Sequence, residues 1–525
     1  MFTARRQCSV THMVLDFLKK RAFFRDELLA VGSAVLLVFS QPRHDLGFLA
    51  WFALVPFFIA LQQKTSGQSL RLGYLFGVFY FFGMFWWLIH VTLPGMVLFN
   101  LYLALYPAGF AVLYVFWRRK FKPGVLQIIL AAASWTVLEF LRAELFSGFG
   151  WASLGHSQYR FLPVLQIADV TGVFGISFFL VVVNMALFYG SQREGAEHPQ
   201  ALWSSFGFSA ALLIGVLAYG FFSLSNNAFL PDDPRSLKVT VVQPNVLQSE
   251  KWAPSNWDEI MGKLERLSRQ GVGRSTDVDL IVWPETALPG YRWESPRYFE
   301  RAKALAKDLK TPILLGAESH IGKRYFNSAV FVSAQGEEVA RYDKIHLVPF
   351  GEFIPLRPWL NFIGNFVPME DLSPGADKTV FILGNPKVGV SALICFEDTV
   401  RDVSRGMVQS GGQVLINLTN DAWFLKTKAP FLHLQMSVFE AVGNRRAMIR
   451  AANTGVSGII HPSGRVVGVI KGSSGEETFI AGHLNARVPV AGNRQTVFTR
   501  YGDFFAYFCF VCLGFGVIID INTKK

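Results

Sequence analysis

Three short stretches place groups capable of acyl chemistry at the ends of strand-like runs. "LIVWPETALP" sets Glu285 behind such a run and a proline. "RYDKIHLVPFGEFIP" carries Lys344 and, eight residues on, Glu352. "VSALICFEDTV" ends in Cys395, Phe396, Glu397 and Asp398. A thiol attacks as its thiolate, and adjacent carboxylates disfavour that form. Cys395 alone is therefore equally a core cysteine at a strand end. With Lys344 beside it to favour the thiolate and Glu285 to take its proton, it becomes an activated nucleophile.

Each residue also has a purely structural reading. Pro-Glu after a strand is a common turn or helix start, "YDKIHLV" resembles a solvated turn, and Glu352 has a possible ion-pair partner in Arg357. His346 raises a papain-like Cys–His pair, but nothing in the sequence orients it. The histidines are scattered and no HxxxH occurs, so no metal constellation is expected. The glycine-rich "GVGRS" and "GSSGEE" lack the lysine-serine/threonine context of a phosphate loop.

Between residues 237 and 483 strand-like runs recur: "LKVTVVQPN", "VDLIVWPE", "TPILLGAES", "YFNSAVFVS", "VGVSALICFED", "GQVLINLTND" and "SGIIHPSG". Helical spacing is expected for 295–310, opened by Ser-Pro, and for 436–455, ended by Gly455. Strands alternating with helices predict a layered α/β domain.

The rest of the chain is far more apolar. Half of the 525 residues are hydrophobic and 50 are phenylalanine, an excess that an ordinary soluble protein does not show. Apolar runs at about 28–41, 46–62, 71–90, 95–117, 125–145, 172–190, 204–223 and 503–520 are expected membrane spans. The first two are short, and a re-entrant pair is the alternative. Arg5, Arg6, Lys19, Lys20, Arg21, Arg25, "WRRKFK" and Lys524–Lys525 fall on one side of eight spans, against Arg43, Arg142 and Arg160 on the other. Both termini are then cytoplasmic and the α/β domain lies outside. The net charge of +12 is on this view a topology signal, with no nucleic-acid partner implied. The basic first 27 residues lack a small-residue cleavage site, so no cleaved signal peptide is expected. Expected divisions are a cytoplasmic segment 1–27, spans within 28–225, the catalytic domain at 236–499, and a last span with tail at 500–525. Of four cysteines, Cys8 lies in the tail and Cys509 and Cys512 in the last span. Cys395 thus has no disulfide partner in its own domain.

Glu285 in "WPETALP", Lys344 in "YDKIHLVPFGEF" and Cys395 in "ICFED" resemble the Glu-Lys-Cys triad of the nitrilase, or carbon–nitrogen hydrolase, superfamily. With spans before and after the domain, the chain resembles the membrane-anchored branch, the apolipoprotein N-acyltransferases. The resemblance implies an α-β-β-α sandwich carried on about eight transmembrane helices of the bacterial inner membrane, its catalytic domain periplasmic. It implies transfer of an acyl group from a phospholipid to the N-terminal amine of a diacylglyceryl-cysteine apolipoprotein, through a thioester and without a cofactor. Cys395 then matches the nucleophile, Glu285 the general base and Lys344 the stabiliser of the tetrahedral intermediate. Glu352 and Glu397 match further required acids, and Trp252 a tryptophan near the site. Phe396 stands where a tyrosine is familiar. The oligomeric state stays open, a monomer being favoured.

A thioester must be shielded from water. The aromatic stretches 349–368 (Phe350, Phe353, Trp359, Phe362, Phe366) and 421–434 are candidate lids that guide acyl chains. The rival readings are a membrane-tethered amidase acting on a small soluble substrate, and a transporter or scaffold that has lost its chemistry. The few ionisable groups in the spans, Glu139, Arg142 and Glu144, speak against transport.

Overall fold

A computed structural model of the chain describes residues 24–191, 199–226, 236–273, 277–290, 295–355, 357, 371–384 and 387–522. The basic residues of 1–23, Cys8, Trp359, Phe362, Phe366, Lys524 and Lys525 lie outside these residues. Two compact units are formed. One comprises Met1–Gln158, Phe174–Val216 and Phe505–Lys525; the other comprises Tyr159–Val173 and Leu217–Phe504.

Six described helices are long and apolar enough to cross a membrane: Ser66–His90, Leu93–Lys120, Val125–Glu144, Ala168–Gly190, Pro199–Asn226 and Phe504–Asn522. They cover six of the expected spans. Residues 24–39 are also helical but shorter. The run 46–62 is not one helix: it breaks into a 3₁₀ turn, Gly47–Trp51, and a short helix, Val55–Ala60. Asn184 Nδ2 donates to Ala50 O (2.9 Å), and its Oδ1 accepts from Leu54 N (2.8 Å), satisfying backbone groups freed by the break. Glu139 Oε1 accepts from Trp135 Nε1 (2.8 Å) and Leu154 N (2.7 Å). Arg142 donates to Phe149 O, Trp151 O and Ser153 Oγ. These two intramembrane charges thus fasten the segment after their own helix.

The second unit holds two six-stranded sheets. The first contains β1 (Ser236–Gln243), β2 (Leu280–Val282), β3 (Ile313–Ile321), β4 (Arg324–Val332), β5 (Glu338–Asp343) and β12 (Gly482–Pro489), in the order β12-β1-β2-β3-β4-β5. The second contains β6 (Phe381–Leu383), β7 (Val388–Ile394), β8 (Val414–Thr419), β9 (Ala447–Ala452), β10 (Gly458–Ile460) and β11 (Val466–Val469), in the order β11-β10-β9-β8-β7-β6. Each sheet has a parallel centre, β1-β2-β3 or β7-β8-β9, with antiparallel flanks. Strands buried on both faces read as largely apolar runs without alternation, as in "VSALI" and "VLINLT".

Helices Trp257–Val272 and Pro296–Leu309 cover the first sheet, burying Ile260, Leu264, Leu267, Tyr298 and Leu305 against Ile281, Trp283 and Leu315. Those helical positions recur at the three-to-four spacing of an amphipathic face. Arg401–Gln409 and Ala429–Asn444 pack on the second sheet. The result is the expected α-β-β-α sandwich.

One expected helix is corrected. The run 436–455 is not a single helix: the helix is Ala429–Asn444, closed by Arg445 in a left-handed conformation, and "AMIRAA" is strand β9. A fully buried apolar run fits either element by pattern alone, and pairing with β8 decides it. For the same reason the second half of the expected loop 421–434 is the start of that helix.

Gly316 of β3 fits against the turn after β2: a Cβ there would lie 2.5–2.6 Å from Pro284 O, Glu285 Cα and Thr286 N. Gly316→Ala is expected to displace this turn and cost about 1–3 kcal/mol, read as a lower thermal unfolding midpoint. An unchanged midpoint with unchanged activity would contradict this packing account.

Candidate active site

The candidate catalytic groups sit at the carboxyl ends of strands, two of them in the parallel centres of the sheets, where open α/β sheets bind ligands. Glu285 follows β2, Lys344 follows β5 and Cys395 follows β7. Cys395 has φ +50°, and Thr286, next to Glu285, has φ +42°. Such left-handed positions cost about 1–2 kcal/mol for non-glycine residues and cluster where a fold over-determines its backbone.

Lys344, Glu352, Asn327 and Glu285 form one buried network. Lys344 Nζ donates to Glu352 Oε1 (2.9 Å) and lies 2.8 Å from Oε2. Asn327 Nδ2 donates to Glu285 Oε1 (2.7 Å) and Glu352 Oε1 (3.1 Å), linking both carboxylates. Cys395 feels both Glu285 and Lys344 electrostatically. Glu352 therefore pairs with Lys344 and not with Arg357, which binds Asp371. His346 turns out not to be a papain-like partner: its Nε2 is buried without a hydrogen bond to any described residue, and its ring lies 6.1 Å from that of Phe396.

Glu397 holds the parts together. Its Oε1 accepts from Tyr342 Oη (2.8 Å), Ile345 N (2.7 Å) and His346 N (3.0 Å), and its Oε2 accepts from Ile394 N (2.8 Å). Four donors and no acceptor surround it, so it clamps the segment bearing Lys344 onto the strand bearing Cys395. Burial raises its pKa, while Lys344 and these donors oppose the rise.

The protonation states follow from burial and charge. The Cys395 thiol is pushed well above its ordinary value by burial and then by Glu285. Lys344 favours the thiolate, but burial and Glu285 outweigh it, so the proton is held on sulfur. Burial also raises Glu285, with Lys344 acting against it, giving a stronger base than a free carboxylate. For Lys344, burial opposes the charge, but Glu352 and then Glu285 outweigh it and keep the ammonium protonated.

Several site residues were not foreseen. Asn327 and Tyr342 sit on β4 and β5, the latter two places before Lys344 in "RYDK". Glu318 pairs in register with Asn327, so their side chains share a face. Burial pushes Glu318 up to about 7. Lys251 donates to Thr286 Oγ1, and burial lowers it to about 8. Its ammonium lies 6.0 Å from the ring of Trp252, which is half-exposed. A polar residue inside an otherwise strand-like apolar run was the available signal for Asn327. Among the described residues no group of three or more His, Cys, Asp or Glu is arranged to hold a metal.

This fold and site define a carbon–nitrogen hydrolase domain, and a family model of that description matches residues 238–487. A second model, "Apolipoprotein N-acyltransferase N-terminal domain", matches residues 33–186. The chain is 39% identical over 505 residues to an apolipoprotein N-acyltransferase of Geobacter metallireducens, covering 92% of this chain and 93% of that protein. The chain belongs to the apolipoprotein N-acyltransferase family and is an acyltransferase. A Methylococcus capsulatus apolipoprotein N-acyltransferase is 33% identical, covering 84% of this chain and 87% of that protein. Among solved structures, a variant of the Nesterenkonia AN1 amidase from the nitrilase superfamily aligns at 16% identity and TM-score 0.38, covering 50% of this chain and 94% of that chain.

The charges generate a prediction of opposite signs. Glu285→Gln removes a negative neighbour that raises the thiol pKa, so iodoacetamide should alkylate Cys395 faster at pH 7–8, while acyl transfer is lost. Lys344→Met should slow alkylation, and in the wild type the rate should keep rising with pH beyond the ordinary thiol value of about 8.5. Slower alkylation in Glu285→Gln would contradict the assignment.

Proposed function

We propose that the chain moves an acyl group from a membrane phospholipid to the N-terminal amine of a diacylglyceryl-modified apolipoprotein, using Cys395 as carrier. Family membership supports the acceptor class. The single observation that carries the mechanism is the thiol of Cys395, on a left-handed backbone position, in the shared field of Glu285 and Lys344.

In the first half-reaction Glu285 takes the thiol proton as sulfur attacks an ester carbonyl. Lys344 and the N–H of Phe396 face the developing oxyanion, at roughly 3–4 kcal/mol per such donor. The C–O bond breaks, the glycerol oxygen receives the proton from Glu285, and lysophospholipid leaves a thioester. In the second, the neutral amine attacks, Glu285 takes its proton, the C–N bond forms and the C–S bond breaks, and the proton returns to sulfur. One nucleophile serving two substrates in turn gives ping-pong kinetics.

The membrane supplies the donor, and the six helices long and apolar enough to cross it support a membrane-bound enzyme. The charge bias of the sequence supports placing the domain on the periplasmic side of the bacterial inner membrane. Exposed Phe350, Trp423 and Leu425, on the two aromatic stretches, are suited to contact acyl chains and exclude water.

Incubation with phospholipid alone should add one acyl mass to the intact wild type, released by hydroxylamine. Cys395→Ser should form no such hydroxylamine-labile adduct. An adduct on another residue, or turnover of small amides without phospholipid acylation, would overturn this function.

A base with a raised pKa loses its charge at a higher pH than a free carboxylate. Acylation should therefore begin to fall, on acidification, above the ordinary glutamate value of about 4.3. A rate that holds down to that value would remove Glu285 as the base.

A further inference from the structure

Behind the nucleophile lies a second polar cluster that the proposed steps do not use. His433, on the helix Ala429–Asn444, is 2% exposed, and Asp398, Asp421 and Arg450 are 0% exposed. His433 Nδ1 lies 2.9 Å from Asp421 Oδ1; its Nε2 lies 2.8 Å from Asp398 Oδ1 and 3.2 Å from the carbonyl oxygen of Cys395. Arg450, on β9, donates to Asp398 Oδ2 (2.9 Å), Asp421 Oδ2 (3.2 Å) and Asn417 Oδ1 (3.1 Å). Asn417 Nδ2 in turn donates to the same Cys395 carbonyl (2.9 Å). Ser437 donates to Asp398.

Both ring nitrogens of His433 thus face carboxylate or carbonyl oxygens. Only the doubly protonated ring can donate on both sides. Two aspartates are matched by two cations, so the buried cluster is neutral. The Cys395 carbonyl belongs to the same peptide unit as the N–H of Phe396. In a planar trans peptide the two point in opposite directions. Holding the carbonyl from behind therefore sets the direction of the N–H in front, and a cation on the oxygen polarises the amide into a stronger donor.

We propose that His433, as an imidazolium held by Asp398 and Asp421, is a positioning residue that aims and strengthens the Phe396 N–H toward the oxyanion. Asn417 shares the task. This rests on the reading of Cys395 as acyl carrier. Burial and Arg450 oppose the imidazolium, but the two aspartates outweigh them and push its pKa up to about 9.

Alkylation of a thiol forms no oxyanion, whereas acylation does, and this separates positioning from mere structural support. The full chain in nanodiscs of a diacyl phospholipid is followed by intact mass for acyl gain, and by iodoacetamide labelling. His433→Phe should slow acylation by about 10²–10³-fold while changing alkylation by no more than about threefold. His433→Gln, which keeps a neutral donor, should recover part of the loss. Wild-type acylation should fall as pH rises through about 9, and this limb should vanish in His433→Gln yet persist in Lys251→Gln, Lys428→Gln and Glu440→Gln, which remove the groups that burial shifts to about 8.

Acylation by His433→Phe within about threefold of wild type, against the 10²–10³ of a lost oxyanion donor, would overturn the proposal. So would parallel loss of alkylation and acylation. If neither His433 variant folds, a wild-type rate that does not fall above pH 9 overturns it alone. A wild type that gains no acyl group overturns the carrier reading, and this one with it.

Discussion

Lys344 keeps a full positive charge at 1% exposure, and the candidate site is arranged around that fact. An ammonium taken out of water without a partner loses several kcal/mol of solvation. Glu352 supplies both oxygens to it, Asn327 ties Glu352 to Glu285, and Glu397 locks the following backbone onto the strand of Cys395. Remove the ammonium and the carboxylates around it are left buried and uncompensated. Two sheets are needed because these groups come from strand ends far apart in the chain, which no single local element could join.

The same burial decides how the sulfur behaves. A standing thiolate beside Lys344 would have been the simple expectation, yet desolvation and Glu285 win over that single cation. The proton therefore stays on sulfur until a carbonyl arrives to receive the developing charge. In the proposed reaction this couples proton transfer to attack. It also leaves the resting thiol less open to alkylation and oxidation than a thiolate would be.

Much of this was legible in the sequence, and the misses share a cause. Glu285 and Cys395 stood out because each ends an apolar run, Lys344 because of the motif around it, and the long apolar helices because of their length. The clamp made by Tyr342 and the carboxylate link made by Asn327 were hidden because their partners are remote in sequence. β9 was taken for helix because "AMIRAA" is buried on both faces and so has no period. The break within 46–62 depends on Asn184, more than a hundred residues away, which satisfies the interrupted backbone. How firmly the proton is held on sulfur was not legible, because depth of burial, unlike neighbouring charge, cannot be read from a motif.

The central claim is that an acyl group on Cys395 presents its carbonyl oxygen to Lys344 and to the Phe396 N–H. A structure of the full chain trapped after exposure to phospholipid, with the amine acceptor withheld, tests it most directly. The account predicts density continuous with Cys395 Sγ, its carbonyl oxygen within hydrogen-bond reach of Lys344 Nζ and the Phe396 nitrogen. Acyl density on another residue, or a carbonyl turned away from both donors, would contradict it.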